Sequence, residues 1–397
     1  MIGPLEALLV AGVAAAVGVA SLLSETLLGA RGRALRGALG LVAAASILAL
    51  AVRALAQAPD GGALTLAGRL VVDPLAALHD AVISAALCVV ISLSEGTSRS
   101  RVAGFASLAV AGASLAAHAV DLGLVLVGLE LAALAVIPLL VSAGPKGHVT
   151  GLRWLMPHAL TTALLLLGIA LVFGATGVTT LPQLGGRLTA VFTGWGAGNV
   201  QKAVEILSLP RVPIGDDAIA HLRDAAVKGM APAALFLPGI LLIIAGLLAR
   251  LGVVPLHRAL VGVYARASPS AGVALDVLVR LAPLVALIRA LPGGLNTARL
   301  VQAPYGWIVP IVSVALLCLV IAGLAAAREG DPRRLVAWAT LHVAGWLLIG
   351  LAAAGDYYAH AGVRMASMLP EHYAWGMGSG DGALAGVLLL FLGAAAA

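Results

Sequence analysis

Charged side chains are scarce in this chain of 397 residues: aspartate, glutamate, lysine and arginine together make up 11%. Soluble globular domains carry about 25% charged residues, so the composition excludes an ordinary soluble domain. Hydrophobic residues make up 61% of the chain, and the mean hydropathy is +1.06. Because the apolar stretches have the length of membrane-crossing helices, we expect an all-α polytopic membrane protein.

Cysteine is nearly absent as well, with Cys88 and Cys318 each inside an apolar run. Two cysteines cannot ligate an iron–sulfur cluster, and no Gly-x-Gly-x-x-Gly follows a strand and opens a helix, as a dinucleotide site requires. We therefore expect no metal and no cofactor in this chain, and we interpret both cysteines as packing residues. The net charge of +6 is spread over short loops, which does not favour a nucleic-acid partner.

Apolar segments long enough to cross a bilayer recur along the chain. We count eleven, at approximately 5–28, 36–56, 72–94, 102–119, 122–143, 153–175, 232–254, 262–290, 307–327, 335–354 and 382–396. The N-terminal sequence lacks the basic leader of a signal peptide, so we expect the first segment to be a retained helix.

Arginine and lysine gather in the odd-numbered loops between these segments, for example in 31–36, 99–101 and 328–334. The positive-inside rule makes these loops cytoplasmic and places the N-terminus outside. We therefore expect an integral protein of the bacterial inner (cytoplasmic) membrane. The long even-numbered loop, 176–231, carries charges of both signs and is interpreted as a short surface helix or a solvated loop.

Three charged side chains lie deep inside predicted spans. Glu130 is in the fifth, Arg250 in the seventh and Arg280 in the eighth. A charge at membrane depth costs roughly 2.5–3.5 kcal/mol or more and marks a functional site by default. A carboxylate and cations on neighbouring helices need one another, or water, for solvation, so we interpret them as a relay along the membrane plane.

Three further groups have a structural interpretation as well as a functional one. His158 and His342 lie inside spans, where a single histidine is more often a satisfied core residue than a proton carrier. Arg153, at the start of the sixth span, can reach the cytoplasmic interface with its long side chain.

The seventh span is interrupted directly after Arg250, by Gly252, Pro255 and His257. A helix broken at membrane depth exposes backbone polar groups, which is tolerated only against protein or a water-filled cavity. The break therefore predicts part of an ion path inside a helical bundle.

Five stretches occur in order between about residues 70 and 355: DLGLVLVGLELAAL, LRWLMPHALTTALLLLGIALVFGATGVTTL, GLLARLGVVPLHRALVGVYARASPS, ALDVLVRLAPLVALIRAL and LVAWATLHVAGWLLIGLAA. Each is diffuse alone, but five in this order are fairly specific. Together they resemble the antiporter-like membrane subunits of respiratory complex I, and most closely the subunit N family of NADH-quinone oxidoreductases.

The resemblance implies two five-helix units in inverted repeat, each with one discontinuous helix, an arrangement that places ion sites near the midplane. Residues 1–100 would then form an N-terminal three-helix part, 101–290 the first repeat and 291–397 a partial second repeat. Since the chain ends before the broken helix of the second repeat, we expect a separate chain to supply the missing helices, or a truncated or degenerate sequence.

The proton path that the resemblance implies consists of Glu130, Arg153, Arg250, His257, Arg280 and His342. The family usually has lysine where this chain has its three arginines. A buried lysine can release a proton, whereas an arginine effectively cannot. The titrating groups must then be Glu130, the histidines or bound water, with the arginines as a fixed positive field. The alternative is an electrostatically locked copy that serves as a scaffold.

The function implied is that of a proton-translocating membrane-arm subunit, with flavin, iron–sulfur clusters and quinone in partner chains. Its partners would be other membrane-arm subunits of a complex I-like assembly and the lipid bilayer. Subunits of multisubunit cation/proton antiporters and of membrane-bound hydrogenases share the same motifs and stay as alternatives. A non-pumping structural spacer is a third interpretation, and an independent secondary transporter is disfavoured by the partial second repeat.

Overall fold

The computed structural model of this chain describes residues 8–28, 33–58, 62–94, 99–142, 147–185, 187, 235–294 and 306–365. Helices dominate these residues, and nine of the helices found in them are long and apolar enough to cross a membrane. The prediction of an all-α polytopic membrane protein is confirmed.

The first half of the chain contributes six long helices. They are α1 (Leu9–Leu28), α2 (Arg33–Gln57), α3 (Pro74–Ser92), α4 (Arg99–His118), α5 (Leu122–Val141) and α6 (Gly147–Thr176). Between α2 and α3, the strands β1 (Ala63–Thr65) and β2 (Leu70–Val72) pair antiparallel. This small hairpin is an addition to the predicted helices.

Five more helices lie in the described part of the second half. They are α7 (Leu235–Arg250), α8 (His257–Tyr264), α9 (Pro269–Pro292), α10 (Ile308–Ala326) and α11 (Pro332–Met365). The ten predicted spans between 5 and 354 each correspond to one of the long helices or to α7. The eleventh, 382–396, lies outside the described residues, as does most of the loop 176–231.

The predicted break in the seventh helix is confirmed. Helix α7 ends at Arg250, residues 251–256 are not helical, and α8 begins at His257. Gly252 has φ of +71°, a left-handed conformation that glycine adopts without steric cost. Residues 251–253 at the start of the break are buried, and α8 packs against α6 and α11, so protein covers the start of the break and the helix that follows it.

The helices α4 and α9 form the centre of the bundle, because 78% and 89% of the residues in their most apolar stretches are buried inside the protein. Helix α9 packs against α3, α4, α5 and α11. Small residues let α4 and α5 approach closely: a Cβ atom added to Gly128 on α5 would lie 2.6 Å from the backbone nitrogen of Ala116 on α4. The ionisable groups of α9 therefore lie in the protein interior.

Candidate functional site

Glu130 on α5 is the meeting point of three helices. Its Oε1 accepts hydrogen bonds from Arg250 at the end of α7 and, at 2.7 Å, from Thr162 Oγ1 on α6. Its Oε2 lies 3.0 Å from His158 Nε2, also on α6. The side chain of Glu130 is 24% exposed, whereas that of Arg250 is 3% exposed. Glu130 and Arg250 thus form an ion pair, and the imidazole of His158 contacts the other carboxylate oxygen of Glu130.

The local sequence brings these side chains together. His158 and Thr162 are four residues apart on α6, so they share one face of the helix. Arg250 Nη2 also donates to Thr162 Oγ1 at 2.9 Å, which fixes the guanidinium. Gly246 lets α7 approach α6, since a Cβ atom there would lie 2.7 Å from Leu165 Cγ.

A cavity of about 30 Å³ adjoins the ion pair, and its lining includes His158, Arg250, Gly252 and Leu256. A water molecule needs roughly 10–15 Å³ and two or more polar partners. The buried Nε of Arg250 has no hydrogen-bond partner within the described part of the chain. The cavity can therefore hold water between the ion pair and the break in α7.

Arg280 on α9 forms a second buried ion pair, with Asp276 one turn earlier on the same helix. Its Nε donates to the carbonyl oxygen of Leu251 at 2.8 Å. Leu251 follows Arg250 in the chain. The hydrogen bond from Arg280 to Leu251 therefore connects the second ion pair to the residue next to the first. The counter-ion of Arg280 is thus Asp276 rather than Glu130, and this pair adds little net charge to the interior.

A third buried cation, Arg289, lies further along α9. It donates to both carboxylate oxygens of Asp73 at 2.7 and 2.8 Å, and its Nε donates to the carbonyl oxygen of Ala117 at 2.6 Å. Helix α9 is π-helical over Ala274–Val279, just before Arg280, and again from Arg289. Such π turns are frequent at functional sites. Sequence reasoning missed this pair, although Arg289 lies in the same apolar segment as Arg280.

The remaining predicted residues lie apart from Glu130. Arg153 is exposed on α6, near the start of that helix. His257 opens α8, and its ring lies 5.8 Å from the ring of Trp338 on α11. His342, also on α11, accepts a hydrogen bond from Trp346 Nε1 at 3.2 Å. The structure therefore joins Glu130 with Arg250, places Arg280 next to them, and leaves the two histidines beyond the break.

A polar cluster between α3 and α4 was also missed by sequence reasoning. It consists of His79, Asp80, Ser114 and His118, all of them buried. The sequence signal that could have revealed this cluster is the presence of three ionisable residues, His79, Asp80 and His118, inside apolar helices. Within the described ranges, no group of three His, Cys, Asp or Glu side chains has the geometry to hold a metal ion.

Residues 119–369 match the family model described as NADH:quinone oxidoreductase/Mrp antiporter, transmembrane. The chain belongs to this family. One relative of this family member, NADH-quinone oxidoreductase subunit N 1 of Sorangium cellulosum (strain So ce56), is 29% identical over 244 residues, which is 61% of this chain and 41% of the relative. Subunit N of Desulfovibrio desulfuricans (strain ATCC 27774 / DSM 6949 / MB) is 27% identical over 321 residues, or 79% and 56% of the two chains. The match spans about half the length of these curated relatives.

Solved structures share the fold of this family member. A chain of respiratory complex I from Thermus thermophilus with bound aureothin has a TM-score of 0.63 at 19% identity, covering 98% of this chain and 86% of that one. A chain of the archaeal membrane-bound sulfane sulfur reductase has a TM-score of 0.64 at 20% identity, with coverages of 88% and 67%. A chain of the Mrp complex from Dietzia sp. DQ12-45-1b has a TM-score of 0.62 at 20% identity, with coverages of 89% and 62%. The resemblance stated from the sequence is confirmed.

Proposed function

We propose that this chain is a proton-translocating membrane-arm subunit of a complex I-type NADH-quinone oxidoreductase, coupling redox chemistry in partner chains to proton movement. The observation that carries the proposal is Glu130, held between Arg250 and His158 beside a water-sized cavity where α7 breaks. An intramembrane carboxylate with a histidine partner is typical of proton relays. Family membership and the names of the relatives support this activity.

Glu130 and His158 would be the groups that bind and release protons, because Arg250 keeps its proton at any pH the protein meets. When the ion pair with Arg250 is closed, Glu130 is held ionised. When the pair opens, Glu130 loses its counter-charge and takes up a proton from His158 in its imidazolium form, or one that arrives through water in the cavity. The role of Arg250 is thus to set the charge of Glu130 by distance, without donating a proton itself.

The proposed path continues from the cavity to His257 and then to His342. The cavity is lined by Leu256, which precedes His257. Trp338 lies beside His257 and one turn before His342 on α11. Water would fill the gaps between these groups. Arg280 would hold the broken end of α7 through Leu251, and Arg153 would lie at the cytoplasmic entrance.

The proposal also covers the partner chains and the membrane in which the assembly lies. Flavin, iron–sulfur clusters and quinone would be bound by partner chains, and other membrane-arm subunits would contact this one. The assembly would lie in a bacterial inner (cytoplasmic) membrane, with the N-terminus of this chain outside.

The test is purification of the tagged chain from its own membranes in mild detergent, with mass spectrometry of every copurifying protein. We expect quinone reductase subunits that carry flavin and iron–sulfur clusters, together with other membrane-arm subunits. Recovery of the chain alone, or with hydrophobic antiporter-type chains only, would contradict the proposal.

A cation/proton antiporter subunit is the second candidate function. The family description includes the Mrp antiporter, and the Mrp chain of Dietzia matches this fold as well as the complex I chain does, with TM-scores of 0.62 and 0.63. Under this alternative, the purified assembly would exchange a cation for protons across liposomes without any electron donor. A membrane-bound hydrogenase would instead copurify with hydrogenase subunits, and a structural spacer would assemble without a role for Glu130.

A further inference from the structure

The cluster between α3 and α4 is separate from Glu130 and is well enclosed. Asp80 Oδ2 accepts a hydrogen bond from Ser114 Oγ at 2.9 Å and lies 3.1 Å from His118 Nε2. The side chains of His79, Asp80 and His118 are 0%, 2% and 5% exposed. An ionised group buried this completely in a protein interior needs a partner of opposite charge.

The contacts of His118 fix how many protons it shares with Asp80. Its Nδ1 lies 2.7 Å from the carbonyl oxygen of Val71. Since a carbonyl oxygen can only accept, Nδ1 carries a hydrogen. Its Nε2 faces Asp80. If Asp80 is ionised, Nε2 must carry a hydrogen too and His118 is an imidazolium; if His118 is neutral, Asp80 must hold the proton.

Both arrangements contain one proton more than an ionised aspartate and a neutral histidine. We infer that Asp80 and His118 form a proton-binding site in the interior of this chain, with His79 as the neighbouring acceptor. The ligand is a single proton, held as an imidazolium–carboxylate or an imidazole–carboxylic acid pair. This inference goes beyond the proposed function, because it concerns proton occupancy at a site outside the path from Glu130.

His79 is placed to receive that proton. Its Nδ1 lies 3.6 Å from Asp80 Oδ1. Both ring nitrogens of His79, and Asp80 Oδ1, are buried without a hydrogen-bond partner within the described ranges. A shift of a few tenths of an ångström in the His79 ring brings this pair within hydrogen-bond distance. Transfer makes His79 an imidazolium paired with ionised Asp80, and His118, now neutral, loses its hydrogen bond to Asp80 while it keeps the one to Val71. One proton has then moved and no other covalent bond has changed.

The nearby fixed charges are matched. Arg289 of α9 acts electrostatically on His79 and His118, but it is paired with Asp73 at the start of α3. Three other carboxylates on the surrounding helices are each paired with an arginine: Glu25 with Arg101, Glu130 with Arg250, and Asp276 with Arg280. Arg36 and Arg99 donate hydrogen bonds to carbonyl oxygens, and Arg53 is exposed. Asp121 accepts hydrogen bonds from backbone N–H groups at the start of α5. The proton shared by Asp80 and His118 is therefore the exchangeable charge of this cluster.

The test combines two spectra of the full chain in lipid bilayers at about pH 8.5, where an unperturbed histidine is neutral. Solid-state nitrogen NMR of labelled histidine reports imidazolium among the nine histidines, and infrared spectroscopy reports protonated carboxyl groups. We expect one imidazolium signal, or one carboxylic acid band, that disappears in Asp80→Asn.

The exposed His148 at the start of α6 provides the matched control, since His148→Gln should leave that signal in place. His118→Gln is the second variant, in case Asp80→Asn does not fold, and it too should remove the signal. Spectra in which neither variant removes an imidazolium or carboxylic acid signal would overturn the inference. Because no transport is measured, the result does not depend on whether the chain pumps.

Discussion

At the scale of single residues, the interior of this chain is a set of matched charges. Glu130 with Arg250, Asp276 with Arg280, and Asp73 with Arg289 each form a buried ion pair. The idea of arginines as a fixed positive field therefore needs revision for Arg250 and Arg280, because a carboxylate neutralises each. What remains variable is the geometry of each pair, and with it the charge state of the carboxylate.

Removing one member of such a pair should cost more than removing both. We expect Arg280→Met to lower the free energy of unfolding by about 3–5 kcal/mol, because Asp276 would remain buried and uncompensated. The double variant Arg280→Met with Asp276→Leu should recover most of that loss. Thermal unfolding in detergent measures both, and a double variant no more stable than the single one would contradict the matched-charge account.

Replacing Arg250 with lysine tests whether a guanidinium is required. Lysine keeps the positive charge but can release its proton. It also replaces the planar guanidinium, whose Nη2 contacts both Glu130 and Thr162, with an ammonium on a flexible stem. We expect Arg250→Lys to assemble normally and to change the number of protons pumped per quinone reduced. An unchanged ratio would favour the scaffold interpretation.

The sequence indicated which residues carry membrane charges but only some of their partners. Glu130, Arg250 and Arg280 stand out because a single charge in an apolar segment is conspicuous. Asp276 was overlooked although its four-residue spacing from Arg280 is a regular helical pair. The partnership of Asp80 with His118 joins two helices, and hydropathy alone does not show which faces of two helices meet.

At the scale of the elements, close helix packing sets the position of Glu130. Gly128 lies two residues before it, and a Cβ atom there would meet the backbone of α4 at 2.6 Å from Ala116 N and 2.7 Å from Gly112 O. Backbone atoms cannot move aside as a flexible side chain can, so a substitution here must separate α4 from α5.

We therefore expect Gly128→Ala to destabilise the chain by about 1–3 kcal/mol through overpacking. The matched control is Gly174→Ala on α6, where the added Cβ atom meets nothing within 4 Å and alanine favours the helix. Thermal unfolding of the two variants in the same detergent makes the comparison. Equal stability of the two variants would mean that α4 and α5 are less tightly packed than described.

The long helices were predictable because some twenty apolar residues in a row allow few structures in lipid. The break after Arg250 was predictable from Gly252 and Pro255. The hairpin of β1 and β2 was not, because each strand has three residues and shows too short an alternation to be recognised. The π turns of α9 were not predictable either, because hydropathy does not distinguish a π turn from an α turn.

At the scale of the whole molecule, α9 connects the buried charges. Arg280 reaches the broken end of α7 beside Arg250, and Arg289 reaches Asp73 and the end of α4. Because Arg250, Arg280 and Arg289 are each paired with a carboxylate, one proton added to or removed from Glu130 is an uncompensated charge in a low-dielectric interior. Under the proposed function, this imbalance would transmit the charge state of this chain to the neighbouring subunits.

The most direct measurement compares Glu130→Gln with Glu25→Gln in membrane vesicles that contain the whole assembly. Both glutamates pair with an arginine, and their side chains are similarly exposed, at 24% and 22%, but Glu25 lies outside the Glu130 site. Proton uptake and quinone reduction are recorded together. We expect Glu130→Gln to lower proton pumping more than quinone reduction, and Glu25→Gln to leave their ratio unchanged. An intact ratio in Glu130→Gln would remove Glu130 from the proton path and contradict the account.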